Sequence, residues 1–316
     1  MKQIFFFTLL SLTVSCCCQN NNNKDIVKQS HIHQYGVAIT KNDWIKRGSD
    51  GKVISLMKDG ITVTKTYNNG VLNGETTYSF PYKDSVEKAE YYDNGTLVKK
   101  VSNYNTETPM KEIAFLPDNT EHITLWYNNG SPKSIESYDN NIIITGEYFT
   151  TLNNRESSIT EGNGIATRRD ANGQIISRDT IEDGAMVLST TYYRNGEPLA
   201  ETPYSNNIIN GEKKTFLLGG EPDTIENWID GSQEGITVIF QNGEKYAEIS
   251  YENGQKNGIE RRFKDEYTVV ENISWKDDKK HGPTHHYVAD QVKTDWYYQN
   301  RSIASKSTFE ELSSRT

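Results

Sequence analysis

Three imidazoles near one end of the chain, His281, His285 and His286, and two groups of carboxylates, Asp223 with Glu226 and Glu271 with Asp277 and Asp278, are the residues whose types and spacing could do chemistry. Histidines this close together are common metal ligands, and a carboxylate pair could cleave a glycosidic bond. The surroundings favour neither reading. On a strand His285 and His286 would point to opposite faces, and no third histidine or cysteine converges on them. His281 falls just before a glycine, in a column filled elsewhere by Asn73, Asn210, Glu234 and Asn257, and so reads as a polar turn position. A thin sheet offers the carboxylates no deep pocket to raise one pKa, which leaves them as solvated surface charge. Gly219-Gly220 lacks the strand-loop-helix pattern with a following Lys-Ser or Lys-Thr that a phosphate loop needs. His31-Ile32-His33 reads as a solvated segment. No catalytic residue, metal site or cofactor is expected.

The chain has 3 Cys residues, Cys16, Cys17 and Cys18, and all lie in its first eighteen positions. The rest therefore has no disulfide, thiol nucleophile or cysteine-based zinc site. Lys2 precedes an apolar run from Ile4 to Val14, long enough for the core of a secretion signal and too short to span a bilayer. Thr13-Val14-Ser15-Cys16 resembles a relaxed bacterial lipobox, in which the cysteine is acylated and becomes the mature N-terminus; Thr13 departs from the usual Leu, which keeps Cys17 as the alternative. The polar stretch from Gln19 to Asp25 suits a flexible tether between an anchor and a folded body.

Of the 316 residues 34% are hydrophobic and mean hydropathy is -0.75, too lean for two thick cores. The 11% aromatic share, with Tyr at 19, points instead to amphipathic rings on strands. A net charge of -9 disfavours nucleic acid as a partner.

What positions these side chains is a repeat. Gly70, Gly130, Gly196, Gly243 and Gly254 each follow Asn, and an aromatic residue stands three positions earlier: Tyr67, Tyr127, Tyr193, Phe240 and Tyr251. Trp228-Gly231 keeps the phrase, and Trp275-Asp278 is a degenerate copy. Turns recur every eleven or twelve residues, room for a strand of about seven or eight residues and a tight Asn-Gly turn. A second glycine follows alternate turns four residues on, at Gly74, Gly235, Gly258 and Gly282, so the unit is one hairpin of about 23 residues. In a meander alternate turns fall on opposite edges, and the two edges should differ chemically. The rings have two uses: gripping a partner or sugar at Tyr67, Tyr127, Tyr193, Trp228, Tyr251 and Trp275, or shielding hairpin ends, the reading the spacing favours.

The stretch Tyr251-Glu252-Asn253-Gly254-Gln255-Lys256-Asn257-Gly258-Ile259-Glu260-Arg261-Arg262-Phe263 resembles the bacterial MORN-type repeat, in the variant carried by the YwqK-family antitoxins. The resemblance covers roughly residues 60 to 301, with good copies near 67 to 78 and 193 to 287. It implies an all-β fold, an elongated antiparallel β-hairpin array forming a single-layer twisted sheet used for binding, and no catalytic residues. Residues 83 to 120 and 146 to 184 keep the phase through Gly173 and Gly184 but lose aromatics and second glycines, which weakens the case for regular pairing there. Asp84-Ser85-Val86, Asp179-Thr180-Ile181 and Asp223-Thr224-Ile225 resemble the short O-glycosylation signal of secreted Bacteroidetes proteins.

The expected layout is a lipoprotein signal over 1–18, a tether and N-terminal cap over 19–50, hairpin repeats over 51–301 and a C-terminal cap over 302–316, in which Ser307 to Leu312 form one helical turn. The expected role is an outer-membrane or cell-surface scaffold, held by a lipid anchor and binding a protein or glycan. An antitoxin or immunity-like protein is the alternative, and an envelope carbohydrate enzyme a distant third. Palmitate labelling should place the wild type in the envelope and should vanish in Cys16→Ala unless Cys17 substitutes; normal labelling of the double Cys16→Ala, Cys17→Ala protein would refute the lipobox.

Overall fold

A computed structural model describes residues 25–289 and 291–315. The acylation candidates Cys16 and Cys17 lie outside the described residues. Two compact units divide the chain, 1–107 and 108–316. The first holds seven strands and a short helix, and the second twenty strands and a terminal helix. Within each unit strands pair antiparallel with their sequence neighbours in a meander of hairpins.

The hairpins owe their regularity to turn residues that tolerate a left-handed backbone. At Asn253-Gly254 both central residues have positive φ, 51° and 77°, the geometry whose twist matches that of the flanking strands. The same pair of left-handed residues recurs at Asn69-Gly70, Asp230-Gly231, Asn206-Asn207 and Asp277-Asp278. On the opposite edge of the second unit, Gly130, Gly173 and Gly196 are the single left-handed residue of a wider turn, closed by bonds such as Tyr193 N–H to the Glu197 carbonyl at 2.8 Å. The two edges are thus chemically distinct. The second glycines have a structural reason too. Around Gly258 the register slips, so that three residues, 257 to 259, oppose Ser250 alone, and a Cβ at Gly258 would lie 3.1 Å from that of Ser250. Gly74, Gly235 and Gly282 share its positive φ.

Turns on the paired-residue edge are laced to one another. The N–H of the second turn residue bonds a carbonyl just beyond the preceding turn of that edge: Gly95 to Leu72 at 2.7 Å, Gly231 to Ile209 at 2.9 Å, Gly254 to Gln233 at 3.0 Å, Asp278 to Lys256 at 3.1 Å and Asn300 to Lys280 at 2.9 Å. Side chains double the lacing, as when Lys256 N–H donates to Asp278 Oδ1 at 2.8 Å.

Three expectations need correction. Pairing does not lapse where the repeat phrase fades: Val86–Asp93 pairs with Thr96–Asn103 over six positions, and Asn163–Arg169 with Ile175–Glu182 likewise. The buried apolar cluster lies in that stretch, where Ile143, Tyr148, Ile159, Ala166 and Ile181 pack with Tyr138 and Met186. Strand Arg155–Thr160 is short and meets its successor at two positions, so Ile142–Phe149 also touches Asn163–Arg169 across it and the sheet curls around the cluster. Apolar packing inside the curl takes the place of the missing turn phrases. Second, His31 is not solvated: it is 8% exposed in strand Ile26–His33, which pairs with Gly51–Met57, and its ring lies 5.6 Å from that of Trp44. The ladder thus begins inside the segment assigned to tether and cap. Third, the C-terminal helix runs Lys306–Ser314 with Ser305 accepting from Thr308 N–H, longer than one turn.

Stacking of this kind predicts local damage. Gly254→Ala meets nothing within 4 Å and should cost about 1–2 kcal/mol, the left-handed penalty alone. Gly164→Ala would drive a Cβ to 2.1 Å from the Ser158 carbonyl oxygen and should cost more. Hydrogen exchange in Gly254→Ala should rise around residues 231 to 282 and stay unchanged at 120 to 139; equal loss in both stretches would refute locality.

Candidate binding surface

The six aromatic residues proposed as a partner grip lie on separate hairpins, Tyr67 in the first unit and the other five in the second. None is exposed. Tyr127 is 1% exposed, with its hydroxyl donating to the Phe149 carbonyl at 2.8 Å, and burial pushes that hydroxyl up to about 12. Tyr193 reaches the Phe216 carbonyl in the same way at 2.8 Å. These rings tie one wide turn to the next. Tyr67 meets Trp44 edge-on at 6.2 Å. The faces of Trp228 and Trp275 are covered by the ammonium groups of Lys213 and Lys256 at 5.7 and 4.7 Å. Burial raises the Tyr251 hydroxyl.

The carboxylates are not simply solvated. Glu90, Glu136, Asp179 and Glu260 are between 3% and 6% exposed. Each answers the cost of burying charge with hydrogen bonds and a cation. Glu90 accepts from the hydroxyls of Tyr78 and Tyr92, both at 3.0 Å, and pairs with Lys88 at 2.8 Å. Glu136 accepts from Tyr138 at 2.9 Å and meets Arg168 at 3.3 Å; Arg168 also bonds Asp179 at 3.1 Å. Glu226 accepts from the Trp228 indole at 2.9 Å and from Lys213 at 3.1 Å. The common phrase is Glu-x-aromatic ahead of a paired-residue turn, which places acid and ring on one strand face. Sequence reasoning singled out Glu226, paired with Asp223 and not with Trp228, and missed Glu90 and Glu136, although the same spacing to an aromatic residue stood at all three.

These environments oppose acid catalysis. Burial pushes the Glu90 carboxyl up, but Lys88 and the two tyrosine hydroxyls outweigh it and hold it below its ordinary value; Trp228, Lys213 and Thr224 do the same for Glu226. Asp278 is spent on the turn lacing, and Asp223 accepts from Thr215 at 3.2 Å.

The histidines diverge as their register requires. His285 bonds Thr294 at 2.9 Å on one face; on the other, His286 lies between Glu271 and Asp295, 3.2 Å from each. His281 packs against Tyr298 and Phe309, both at 4.9 Å, which seats the C-terminal helix, and burial lowers its pKa. Among the described residues no group of three His, Cys, Asp or Glu could hold a metal ion. Of the glycosylation-like hydroxyls, Thr180 and Thr224 lie within strands, and Thr224 donates to Glu226 at 3.1 Å; Ser85 lies in the loop before Val86.

With hairpins, bulges and turn lacing in view, the profile described as "MORN repeat variant" matches residues 188–206. That match covers one repeat, and the consecutive antiparallel hairpins around it are consistent with a MORN-type repeat array. No curated protein matches the chain. Among solved structures it is similar to a chain of "Crystal Structure of TcdB2-TccC3-Cdc42", at 11% identity and TM-score 0.20, covering 79% of this chain and 15% of that one. A chain of the Photorhabdus luminescens Tc holotoxin pore gives 10% identity and TM-score 0.17, with 81% and 15% covered. A porin-like protein from Bacteroides uniformis gives 9% identity and TM-score 0.11, with 84% and 92% covered. Likeness at this level says nothing about what the MORN-type array binds.

A carboxyl held below its ordinary value adds stability above that value and loses it as pH falls through the lowered one. Glu90→Gln should therefore lower stability at pH 7 by about 1–3 kcal/mol, the cost of weakening a buried charged network. The gap to wild type should close as pH falls below the ordinary glutamate value of 4.5, as read by urea midpoints across pH; a gap that persists would show that Glu90 acts through packing.

Proposed function

We propose that the chain is a non-catalytic scaffold of the cell envelope, anchored by an acylated Cys16 and binding a protein or glycan through its hairpin array. The observation that carries this reading is the saturation of its carboxylates. Glu90, Glu136 and Glu226 are each held by an aromatic donor and a cation, and at Glu90 and Glu226 these partners keep the carboxyl below its ordinary value. What remains open to a partner is strand surface. Ile236 and Ile259, 44% and 43% exposed, follow second glycines and pair with Ser250 and Ser274, so aliphatic and small side chains alternate across the strands.

Photo-crosslinking in intact cells tests this. A benzophenone side chain at position 236 or 259 should capture a discrete envelope component, and the same probe at Ala166, which is 0% exposed, should capture none. Turnover of an oligosaccharide by the purified chain, or identical capture from all three positions, would defeat the scaffold reading.

A further inference from the structure

The first unit carries a concavity that the repeat pattern does not call for. A cleft of about 560 Å³ is lined by Ile32, Gln34, Asp50, Lys52, Asn68 and Asn73, among others. Its floor comes from register: Ile32 pairs with Lys52 and Lys52 with Thr66, and Gln34 N–H bonds the Asp50 carbonyl at 3.1 Å. Alternation along each strand puts Ile32, Lys52 and Thr66 on one face, opposite His31, which meets Trp44 of helix Lys41–Lys46; Tyr67, edge-on to Trp44, and Asn73 complete the lining. Glycines keep it clear. A Cβ at Gly51 would stand 2.2 Å from the Ile32 carbonyl oxygen, and the rim turn at Gly36 has positive φ with nothing within 4 Å.

We propose that this cleft binds a neutral saccharide, an assignment that rests on the scaffold reading and names its ligand class. The donor set selects the chemistry. Asp50 is fixed by Asn69 N–H, and Asn73 by donating to Asn94 Oδ1 at 3.2 Å, so both are preorganised. The Gln34 amide and the Lys52 ammonium bond to nothing among the described residues. A pure anion would meet the Asp50 carboxylate and a pure cation the Lys52 ammonium, whereas a sugar hydroxyl both donates and accepts and can use the two together. Tyr35, 81% exposed and 5.2 Å from the His33 ring, stands beside this cleft and offers an open aromatic face to a pyranose ring. The volume suits one or two sugar rings. The aromatic residues singled out from the sequence are committed to packing, and Tyr35, outside every repeat phrase, is the available ring.

The full chain is probed on an array of neutral and uronic-acid oligosaccharides, and the best neutral binder is titrated by calorimetry. Gln34→Ala with Lys52→Ala should weaken binding at least about tenfold, and Tyr35→Ala should weaken it too, with no change in thermal midpoint because these side chains hold no structure. Leu152→Ala, an 80% exposed turn residue of the second unit, should leave the titration unchanged. An array on which no neutral saccharide binds, a preference for uronic acids, or a titration indifferent to the double substitution would overturn the assignment. If the saccharide arm fails while positions 236 and 259 still crosslink, the cleft assignment falls and the scaffold reading stands.

Discussion

The constraint on which the structure depends is the left-handed residue pair at the turns of one edge. Two consecutive positive φ angles give a two-residue turn whose twist agrees with that of the strands it joins. They also aim the second residue's N–H along the edge toward the previous hairpin. An Asn-Gly or Asp-Gly turn therefore closes its own hairpin and fastens it to the last one, as the bonds from Gly95, Gly231 and Gly254 show. Where Gly is replaced, the pair survives on residues that tolerate this conformation: Asn206-Asn207, Asp277-Asp278 and Gln299-Asn300.

The bulge beside that turn is its complement. A carbonyl freed by the slipped register needs a donor, and in three hairpins the residue before the edge aromatic supplies one. Thr66 Oγ1 donates to the Glu75 carbonyl at 2.6 Å, Asn227 Nδ2 to Ile236 at 2.8 Å and Ser250 Oγ to Ile259 at 3.1 Å. In the hairpin that holds Trp228 these requirements coincide: a carboxylate at Glu226, a short polar donor at Asn227, the ring, and the left-handed pair Asp230-Gly231, whereas Lys65 and Ile249 stand in the acid's place before Tyr67 and Tyr251. A strand built under these demands has little room for a long aliphatic run, which is why the chain is lean in hydrophobic residues and still folds.

Much of this was legible from spacing. Turn period, hairpin unit, second glycines and the difference between edges follow from Gly, Asn and Tyr positions, because φ preference is a property of one residue and needs no neighbours. What spacing could not show are effects of the third dimension. His31 seemed solvated because Trp44, thirteen residues on, lies outside the repeat. Glu226 looked like surface charge because a thin sheet suggests two wet faces, yet Trp228 and Lys213 cover it. The cleft depends on Gly36 and Gly51, which belong to the irregular N-terminal turns and carry no repeat signature.

The region where the phrase fades explains how the repeat can be suspended. Between Tyr138 and Met186 apolar residues on successive strands face one another, and the sheet curls far enough for Arg168 to reach Glu136, 32 residues away. Curling brings strands into contact with more than their sequence neighbours, and apolar burial then contributes what ring-to-carbonyl ties contribute elsewhere. It also buries groups that a flatter sheet would leave wet: Ser134 Oγ is enclosed without a hydrogen-bond partner among the described residues, and burial, with Glu136 nearby, drives the Tyr148 hydroxyl far above its ordinary value. Such groups are costly unless nearby packing repays the loss. The arrangement holds because Gly146 leaves room that a Cβ, 2.8 Å from that hydroxyl, would take. Local curling and regular stacking are thus two solutions to one problem, securing a thin sheet, and the second unit changes from one to the other along consecutively paired strands.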